Sequence, residues 1–309
     1  MATPPAAGLY PPIPTFFKKD NWTRDLDTQI AHIKFLHENG IPGATVNGST
    51  GENAHLTREE RVKIISEIRK AVPSFTIIAG VCEHSIDGAV AEIAAAKQAG
   101  ANFALVVCSS YFGGITSQQG IYNWYSKLAD QATLPIMIYL FPGVSNGIVI
   151  QADTFEKLAA HPNIVGAKFT YTDLSLFVKV NLNPKVQASN FTVFPGFANF
   201  LLPAFSVKYG GLIDGLGNAF PKAINQLLEY GLKGDFGKEA QELQYKVALA
   251  EQICVDGGVP ATKALIKHFT GFGETLCGRA PLDVEYSTDL FAAKYLTDIE
   301  PLASVEKAL

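Results

Sequence analysis

Two neighbouring stretches decide the fold: Pro135-Ile136-Met137-Ile138-Tyr139-Leu140-Phe141 and Ile164-Val165-Gly166-Ala167-Lys168-Phe169. Each is a nearly continuous apolar run rather than an alternation of apolar and polar residues. Such a run is typical of a strand that is covered on both faces, as in a parallel sheet packed between helices. We therefore predict two buried parallel strands, with Tyr139 and Lys168 as polar side chains near their ends.

Six further apolar runs extend this pattern along the chain. They are Leu9–Phe17, Gly43–Val46, Phe75–Val81, Phe103–Val107, Phe191–Phe194 and Gly211–Ile213. Helical patterns separate the runs, and Thr57-Arg58-Glu59-Glu60 fits a capping box at the start of one of them. Eight strands that alternate with helices predict an α/β fold, a (β/α)₈ TIM barrel. An open doubly wound sheet is the alternative.

The pattern becomes entirely helical from about Ala219 onward. Helices are predicted at Phe236–Cys254, Pro260–Phe269 and Thr288–Leu296. No linker-like or low-complexity stretch separates them from the barrel. We therefore predict a single domain over 1–309, with the barrel at 8–232 and a C-terminal helical extension packed on it at 233–309.

Composition excludes several classes of protein. Among 309 residues, 48% are hydrophobic and 17% are charged, which suits a large core, and the net charge of -4 is spread without a basic stripe for nucleic acid. No apolar stretch is long enough to suggest a membrane span. The four cysteines form no CxxC pair and no zinc spacing, and the first residues do not resemble a secretory signal. We expect a cytoplasmic protein with reduced thiols and no bound metal.

In a parallel α/β barrel the active site lies at the carboxyl ends of the strands. Lys168 closes a strand that is otherwise free of charge, and lysine is rarely buried without a partner. An apolar barrel mouth favours its neutral amine, the form that attacks carbonyl groups. Tyr139 ends the preceding strand, where a phenol could serve as an acid, a base or an orienting group. Spacing alone leaves open a lysine that exits to solvent and a tyrosine that is simply packed.

Three loops after predicted strands carry further candidate residues. Gly48-Ser49-Thr50-Gly51-Glu52 offers backbone N–H groups and two hydroxyls to an anion such as a carboxylate. Ser109-Ser110-Tyr111-Phe112-Gly113-Gly114 is an aromatic, glycine-rich loop. Cys82-Glu83-His84 could touch a substrate or a metal, although the histidines are scattered. Each of these loops could equally be purely structural.

Taken together, the motifs resemble those of the dihydrodipicolinate synthase / N-acetylneuraminate lyase family of pyruvate-dependent class I aldolases. The resemblance covers about Gly8 to Leu282. It rests on four stretches in order, which are 48–52 with Leu56-Thr57-Arg58-Glu59-Glu60-Arg61, Tyr139-Leu140-Phe141-Pro142, Gly166-Ala167-Lys168 and Gly211-Leu212-Ile213. It implies a covalent Schiff base with a 2-keto acid and no other cofactor, and a homotetramer that is a dimer of dimers.

The resemblance also implies roles for individual residues. Lys168 matches the Schiff-base lysine, and Tyr139 matches the general acid/base tyrosine. Ser49 matches a hydroxyl that links this tyrosine into a proton relay, and Thr50 matches one that binds the substrate carboxylate. Tyr111 falls where the family has a tyrosine that reaches into the neighbouring subunit's site.

Other positions are expected to contact substrate. Gly48 belongs to the carboxylate loop, while Gly196 and Ile213 match positions whose backbones line the family's pocket. Three polar side chains are candidates for contacting substrate hydroxyls. They are Ser145, Asn146 and Asn199.

One departure from the family pattern bears on specificity. Lysine-pathway synthases and sialic-acid lyases carry an arginine shortly after Tyr-x-x-Pro, and in the synthases this arginine holds a carboxylate of the second substrate. Here that stretch reads Pro142-Gly143-Val144-Ser145-Asn146-Gly147, without arginine. The acidic residues that sialic-acid lyases place near Gly196 are replaced by Phe197-Ala198-Asn199. Loss of a bidentate clamp should weaken carboxylate binding strongly.

The predicted activity is therefore cleavage of a 2-keto-3-deoxy sugar acid, such as L-threo-3-deoxy-hexulosonate, to pyruvate and an aldehyde. The likeness is greatest to eukaryotic members of the family, and Cys277-Gly278-Arg279-Ala280-Pro281-Leu282 also resembles 4-hydroxy-2-oxoglutarate aldolases. Four alternatives stay open. They are a 4-hydroxy-2-oxoglutarate aldolase, a dihydrodipicolinate synthase, a metal-dependent class II aldolase and a non-catalytic ligand-binding barrel.

Overall fold

A curled parallel sheet forms the centre of the computed structural model, which describes residues 2–309. All six strands pair in parallel with their neighbours in chain order. The strands are β1 (Gly43–Val46), β2 (Thr76–Val81), β3 (Phe103–Val107), β4 (Ile136–Leu140), β5 (Ile164–Phe169) and β6 (Thr192–Pro195). The predicted α/β class and its parallel order are thus confirmed.

Two extended segments close the ring between β6 and β1. Segment 210–213 runs beside β6, where the Ile213 N–H donates to the Pro195 carbonyl at 3.0 Å. Segment 8–13 bridges it in parallel at Leu9 and Leu212, and then bridges β1 at Pro12 and Thr45. Eight extended segments therefore surround the axis, as expected for a (β/α)₈ barrel.

The sequence-based prediction of eight regular strands was wrong for these two segments. Leu9–Phe17 and Gly211–Ile213 contribute only isolated bridges. Proline lacks a backbone N–H, so Pro11, Pro12 and Pro14 cannot donate to a continuous ladder. Gly211 has φ of +154° and lies against the Gly8 backbone, so segment 210–213 is too irregular and too closely packed for a long strand.

Helices follow the extended segments and cover the outside of the barrel. The helices before the extension are α1 (Leu26–Glu38), α2 (Arg58–Ala71), α3 (Ile86–Ala99), α4 (Gln118–Gln131), α5 (Ala152–Ala159), α6 (Leu174–Asn181), α7 (Pro184–Gln187), α8 (Leu201–Phe205) and α9 (Pro221–Lys233). The predicted capping box is present at the start of α2, with Thr57 and Glu60 bonded reciprocally. None of the helices among residues 2–309 is both long and apolar enough to cross a bilayer.

Three more helices follow in the C-terminal part of the chain. They are α10 (Lys238–Thr270), α11 (Thr288–Lys294) and α12 (Leu296–Ala308). Helix α10 consists of two helical runs that meet at a kink, because the backbone at Gly258 is not helical (φ +56°, ψ -138°), and this agrees with the two helices predicted across 236–269. Helix α12 was not predicted; it contains Pro301, and a proline inside a helical pattern normally ends the helix.

Apolar side chains divide into two cores. The larger one lies between the barrel and its helices. The smaller one fills the barrel interior and includes Ile78, Leu105, Met137 and Phe194. Tyr139 and Ile213 belong to this interior set, so both lie inside the ring of strands.

Candidate active site

Lys168 and Tyr139 lie side by side inside the barrel mouth. They are register partners on β5 and β4, and their side chains are 4% and 6% exposed. The Lys168 Nζ lies 4.8 Å from the centroid of the Tyr139 ring. The lysine therefore does not exit to solvent. Its amine and a phenol face each other near the carboxyl ends of two strands, which is the arrangement that carbonyl chemistry needs.

The residues that follow β6 pack closely against the end of β5. The Gly196 N–H donates to the Phe169 carbonyl at 2.7 Å, and a Cβ at Gly196 would collide with the Thr170 hydroxyl. Only glycine lets this backbone approach the residues next to Lys168. Phe194 is the register partner of Lys168 on the other side, and it fills the interior beside the lysine.

An open cavity of about 230 Å³ lies at the same end of the barrel. Three predicted site residues line it: Gly48, Ser49 and Tyr139. The other lining residues are Asn47, Glu52, Asn53, Ala54, His55, Gly80, Val81, Cys82, Leu105, Val107, Val144 and Leu282. No lysine or arginine is among the described residues that line it. Lys168 is not part of this lining, but its Nζ lies over the ring of Tyr139, which does line the cavity.

The turn between β1 and α2 carries the two hydroxyls predicted to bind a carboxylate. It is bounded by left-handed residues, with φ of +55° at Asn47 and +57° at Glu52. The Glu52 N–H donates to the Ser49 carbonyl at 3.0 Å, which makes the turn tight. Ser49 and Thr50 are half-buried, and of the two only Ser49 lines the cavity.

Glu52 ties this turn to the C-terminal part of the chain. Its carboxylate accepts hydrogen bonds from the Lys263 ammonium at 2.7 Å and from the Arg279 backbone N–H at 2.9 Å. Both members of the Glu52–Lys263 pair are almost completely buried, and Lys263 also donates to the Cys277 carbonyl at 2.9 Å. Sequence reasoning assigned Glu52 no role of its own, since its partner lies 211 positions away.

Tyr111 projects outward on the loop after β3. It is 75% exposed, and the neighbouring Phe112 and Ile115 are exposed as well. The Tyr111 ring contacts Phe112 and the ring of His84, whose Nδ1 accepts from the Ser110 N–H at 3.2 Å. Tyr111 is not among the residues that line its own cavity. The exposed side chains of Tyr111, Phe112 and Ile115 are hereafter called the β3 loop patch.

The remaining predicted contacts are dispersed. The Ser145 hydroxyl is buried and donates to the Phe141 carbonyl at 2.9 Å, which fixes the turn after β4. The Asn146 amide is exposed and donates to the Ser110 carbonyl at 3.4 Å. Asn199 is half-buried in the loop after β6, and its buried Oδ1 has no partner among the described residues.

The segment Cys82-Glu83-His84 follows β2 at the rim. Cys82 lines the cavity, while Glu83 lies 3.4 Å from the Arg61 guanidinium. Cys82 is exposed at this rim, yet desolvation by the surrounding protein and the neighbouring Glu83 carboxylate raise the pKa of its thiol, so the thiol form predominates at neutral pH. This environment gives Cys82 no nucleophilic activation.

Sequence analysis did not identify two buried acids, Asp214, which is close to Lys168, and Glu251, which is close to Asp214. Asp214 follows Ile213, and Glu251 lies on α10. Burial raises the pKa of both carboxyl groups, and the positive charge of Lys168 opposes this rise at Asp214. An aspartate after an apolar run offers a weak signal for a site residue, and the glutamate offers none.

Comparison with known proteins places this geometry in a family. The model of the Dihydrodipicolinate synthetase family matches residues 6–287, which is most of the chain. A solved structure from Coccidioides immitis, described as a candidate dihydrodipicolinate synthase family protein, superposes with a TM-score of 0.86 at 31% identity, covering 99% of this chain and 98% of that one. The synthase from Aquifex aeolicus gives a TM-score of 0.81 at 27% identity, covering 98% and 97%.

Curated proteins with similar sequences also match most of the chain. A Coccidioides immitis protein named as a candidate mitochondrial 4-hydroxy-2-oxoglutarate aldolase is 37% identical over 84% of this chain and 82% of its own length. An L-threo-3-deoxy-hexylosonate aldolase of Aspergillus niger is 31% identical over 88% of each chain. The resemblance inferred from the motifs is confirmed. The chain belongs to the Dihydrodipicolinate synthetase family and is a pyruvate-dependent class I aldolase.

Proposed function

We propose that the chain cleaves a 2-keto-3-deoxy sugar acid, such as L-threo-3-deoxy-hexulosonate, to pyruvate and an aldehyde. The observation that carries this proposal is the buried Lys168 amine beside Tyr139 at the barrel mouth. The site is intact, with both hydroxyls of the turn after β1 also present, which argues against a non-catalytic ligand-binding barrel.

The proposed reaction begins with the substrate carboxylate on the turn that carries Ser49 and Thr50. The Lys168 amine attacks C2, and water leaves to form an iminium. Tyr139 takes the proton of the C4 hydroxyl, the C3–C4 bond breaks, and its electron pair moves to the iminium nitrogen as the aldehyde departs. Protonation of the enamine at C3 and hydrolysis then release pyruvate and the free amine. Because the iminium is the electron sink, this route needs no metal.

The lining of the cavity supports a neutral aldehyde half. Aspartate semialdehyde is charged, and 4-hydroxy-2-oxoglutarate carries a second carboxylate that becomes part of its aldehyde product. A buried carboxylate normally requires a cation or several N–H donors. No lysine or arginine lines the described cavity, and the arginine of the synthases is absent after Pro142. A polyol can instead bond to Asn47, Asn53 and His55, which do line it.

A second candidate, 4-hydroxy-2-oxoglutarate cleavage, is favoured by the name of the 37% identical relative. Pyruvate release from a panel of 2-keto-3-deoxy acids, with 4-hydroxy-2-oxoglutarate included, decides between them. We expect the highest kcat/KM for a six-carbon sugar acid. A preference of tenfold or more for 4-hydroxy-2-oxoglutarate would favour the second candidate, and robust condensation of pyruvate with aspartate semialdehyde would favour a synthase.

We also propose a cytoplasmic homotetramer, a dimer of dimers in which Tyr111 reaches into the neighbouring site. The exposed β3 loop patch supports an interface, since large apolar side chains clustered on a surface mark association sites. Analytical ultracentrifugation tests the assembly. Cell fractionation tests the location, because one relative carries a mitochondrial label in its name.

A further inference from the structure

One side chain of α10 is hydrogen-bonded to the backbone of the loop that follows β6. The Glu251 carboxyl accepts hydrogen bonds from two successive backbone N–H groups, those of Ala198 at 3.1 Å and of Asn199. Glu251 is 1% exposed, so both bonds are shielded from water. A hydrogen bond that is shielded from water is electrostatically stronger than one in contact with it. The backbone at Asn199 is therefore fixed relative to α10.

A second α10 side chain holds the same loop. Gln244 donates to the Ala198 carbonyl at 2.9 Å and accepts from the Leu202 N–H at 2.7 Å. Two turns of one helix thus make four hydrogen bonds to segment 198–202. The loop begins at Gly196, whose N–H bonds to the strand that carries Lys168.

Asp214 links this anchor to the next extended segment. Its carboxyl group accepts from the Leu216 N–H at 2.9 Å, and it lies close enough to the Glu251 carboxyl for each acid to shift the pKa of the other. Two acids in contact without water cannot both be charged at low cost, so the pair shares one proton. Burial and the neighbouring Asp214 both raise the pKa of Glu251, which favours its protonated form at neutral pH.

The loop backbone that these bonds fix carries the side chain of Asn199, which is not among the residues that line the described cavity. It lies at the carboxyl end of the strands, and its buried Oδ1 lacks a partner among residues 2–309. A buried acceptor that lacks a hydrogen-bond partner is unfavourable. A hydroxyl donor from a bound ligand would satisfy it.

We propose that Glu251, supported by Asp214 and Gln244, is a positioning residue that sets Asn199 to recognise a hydroxyl of the aldehyde half of the substrate. This inference rests on the proposed cleavage of a polyhydroxylated keto acid. It makes recognition of the aldehyde half depend on α10 in addition to the polar side chains of Asn47, Asn53 and His55.

The test compares Glu251→Gln with Glu306→Gln. Glu306 of α12 is a matched control, because it accepts from two successive backbone N–H groups, those of Lys222 and Ala223 at the start of α9. In Glu251→Gln the amide can still donate to Asp214, but one acceptor for the loop is lost. Two measurements are made on each full-length variant: KM for the sugar acid, and the rate of pyruvate trapping by borohydride.

We expect Glu251→Gln to raise KM for the sugar acid about tenfold, the effect of losing one such hydrogen bond, while pyruvate trapping changes less than twofold. Glu306→Gln should change neither quantity. Gln244→Ala is a second route to the same loop, should Glu251→Gln fail to fold, and it should also raise KM selectively.

Two outcomes would overturn the inference while leaving the proposed function standing. One is an active wild-type enzyme whose α10 variants bind the sugar acid normally. The other is a parallel loss of sugar-acid binding and pyruvate trapping, which is what a merely structural role predicts. If wild-type protein cleaves no sugar acid at all, the proposed function fails and the inference fails with it.

Discussion

The Glu52–Lys263 ion pair offers a sharp test of how the C-terminal part of the chain supports the site. The Lys263→Met variant would leave the Glu52 carboxylate buried with only the Arg279 N–H and a distant His55 ring at 3.4 Å. It would also leave the Cys277 carbonyl without its 2.9 Å donor. Breaking one side of a buried pair costs about 3–5 kcal/mol, a large part of the roughly 5–15 kcal/mol that stabilises a typical protein.

Denaturant unfolding of Lys263→Met, Glu52→Gln and the double variant measures this cost. Each single change should lower the free energy of unfolding by about 3–5 kcal/mol, while the double variant should lose much less than the sum of the two. Lys233→Met, which breaks an exposed pair with Glu229, is the control and should move the unfolding midpoint little. Because Glu52 ends the turn with Ser49 and Thr50, KM for the keto acid should also rise in Lys263→Met. Additive losses, or a single loss below about 1 kcal/mol, would show that the pair is not coupled as argued.

Three shorter predictions concern the chemistry and the core. Tyr139→Phe should slow cleavage about 10²–10⁴-fold with little change in the melting temperature, and near-normal turnover would exclude Tyr139 as the acid/base. His32 is fully buried and its pKa is lowered by that burial to about 4, so protonation favours the unfolded chain. The stabilisation it gives is complete above pH about 6.5 and is lost as the pH falls to about 4, a loss of about 3 kcal/mol that should be absent in His32→Gln. A chelator should leave turnover unchanged, whereas activity lost to the chelator and restored by a divalent metal would point to a class II aldolase.

Much of the barrel was predictable, because strands that are buried on both faces leave continuous apolar runs in the sequence. The six regular strands and the order of their helices follow from that pattern. The two closing segments escaped it, since the prolines near Leu9 and the glycines near Leu212 replace ladder hydrogen bonds with isolated bridges. The sequence shows that both segments are apolar, but their pairing partners are set only when the barrel closes.

The candidate site was predictable to the extent that its residues end strands. Lys168 and Tyr139 were named because parallel strands bring their carboxyl ends together, and the register of β4 and β5 does so. Glu251 and Lys263 were not named as site residues, because an acid or a lysine on a long helix normally faces solvent. Their burial depends on where α10 crosses the barrel mouth, which no local pattern encodes.

The most direct measurement of the central claim is reductive trapping. Protein is incubated with pyruvate and borohydride, and its peptides are mapped by mass spectrometry, with Lys263 as an internal comparison because it is a second buried lysine. The account predicts one reduced pyruvate adduct, on Lys168, and none in Lys168→Met, which should also be inactive. An active enzyme whose Lys168 stays unmodified, or whose adduct lies on another lysine, would contradict it.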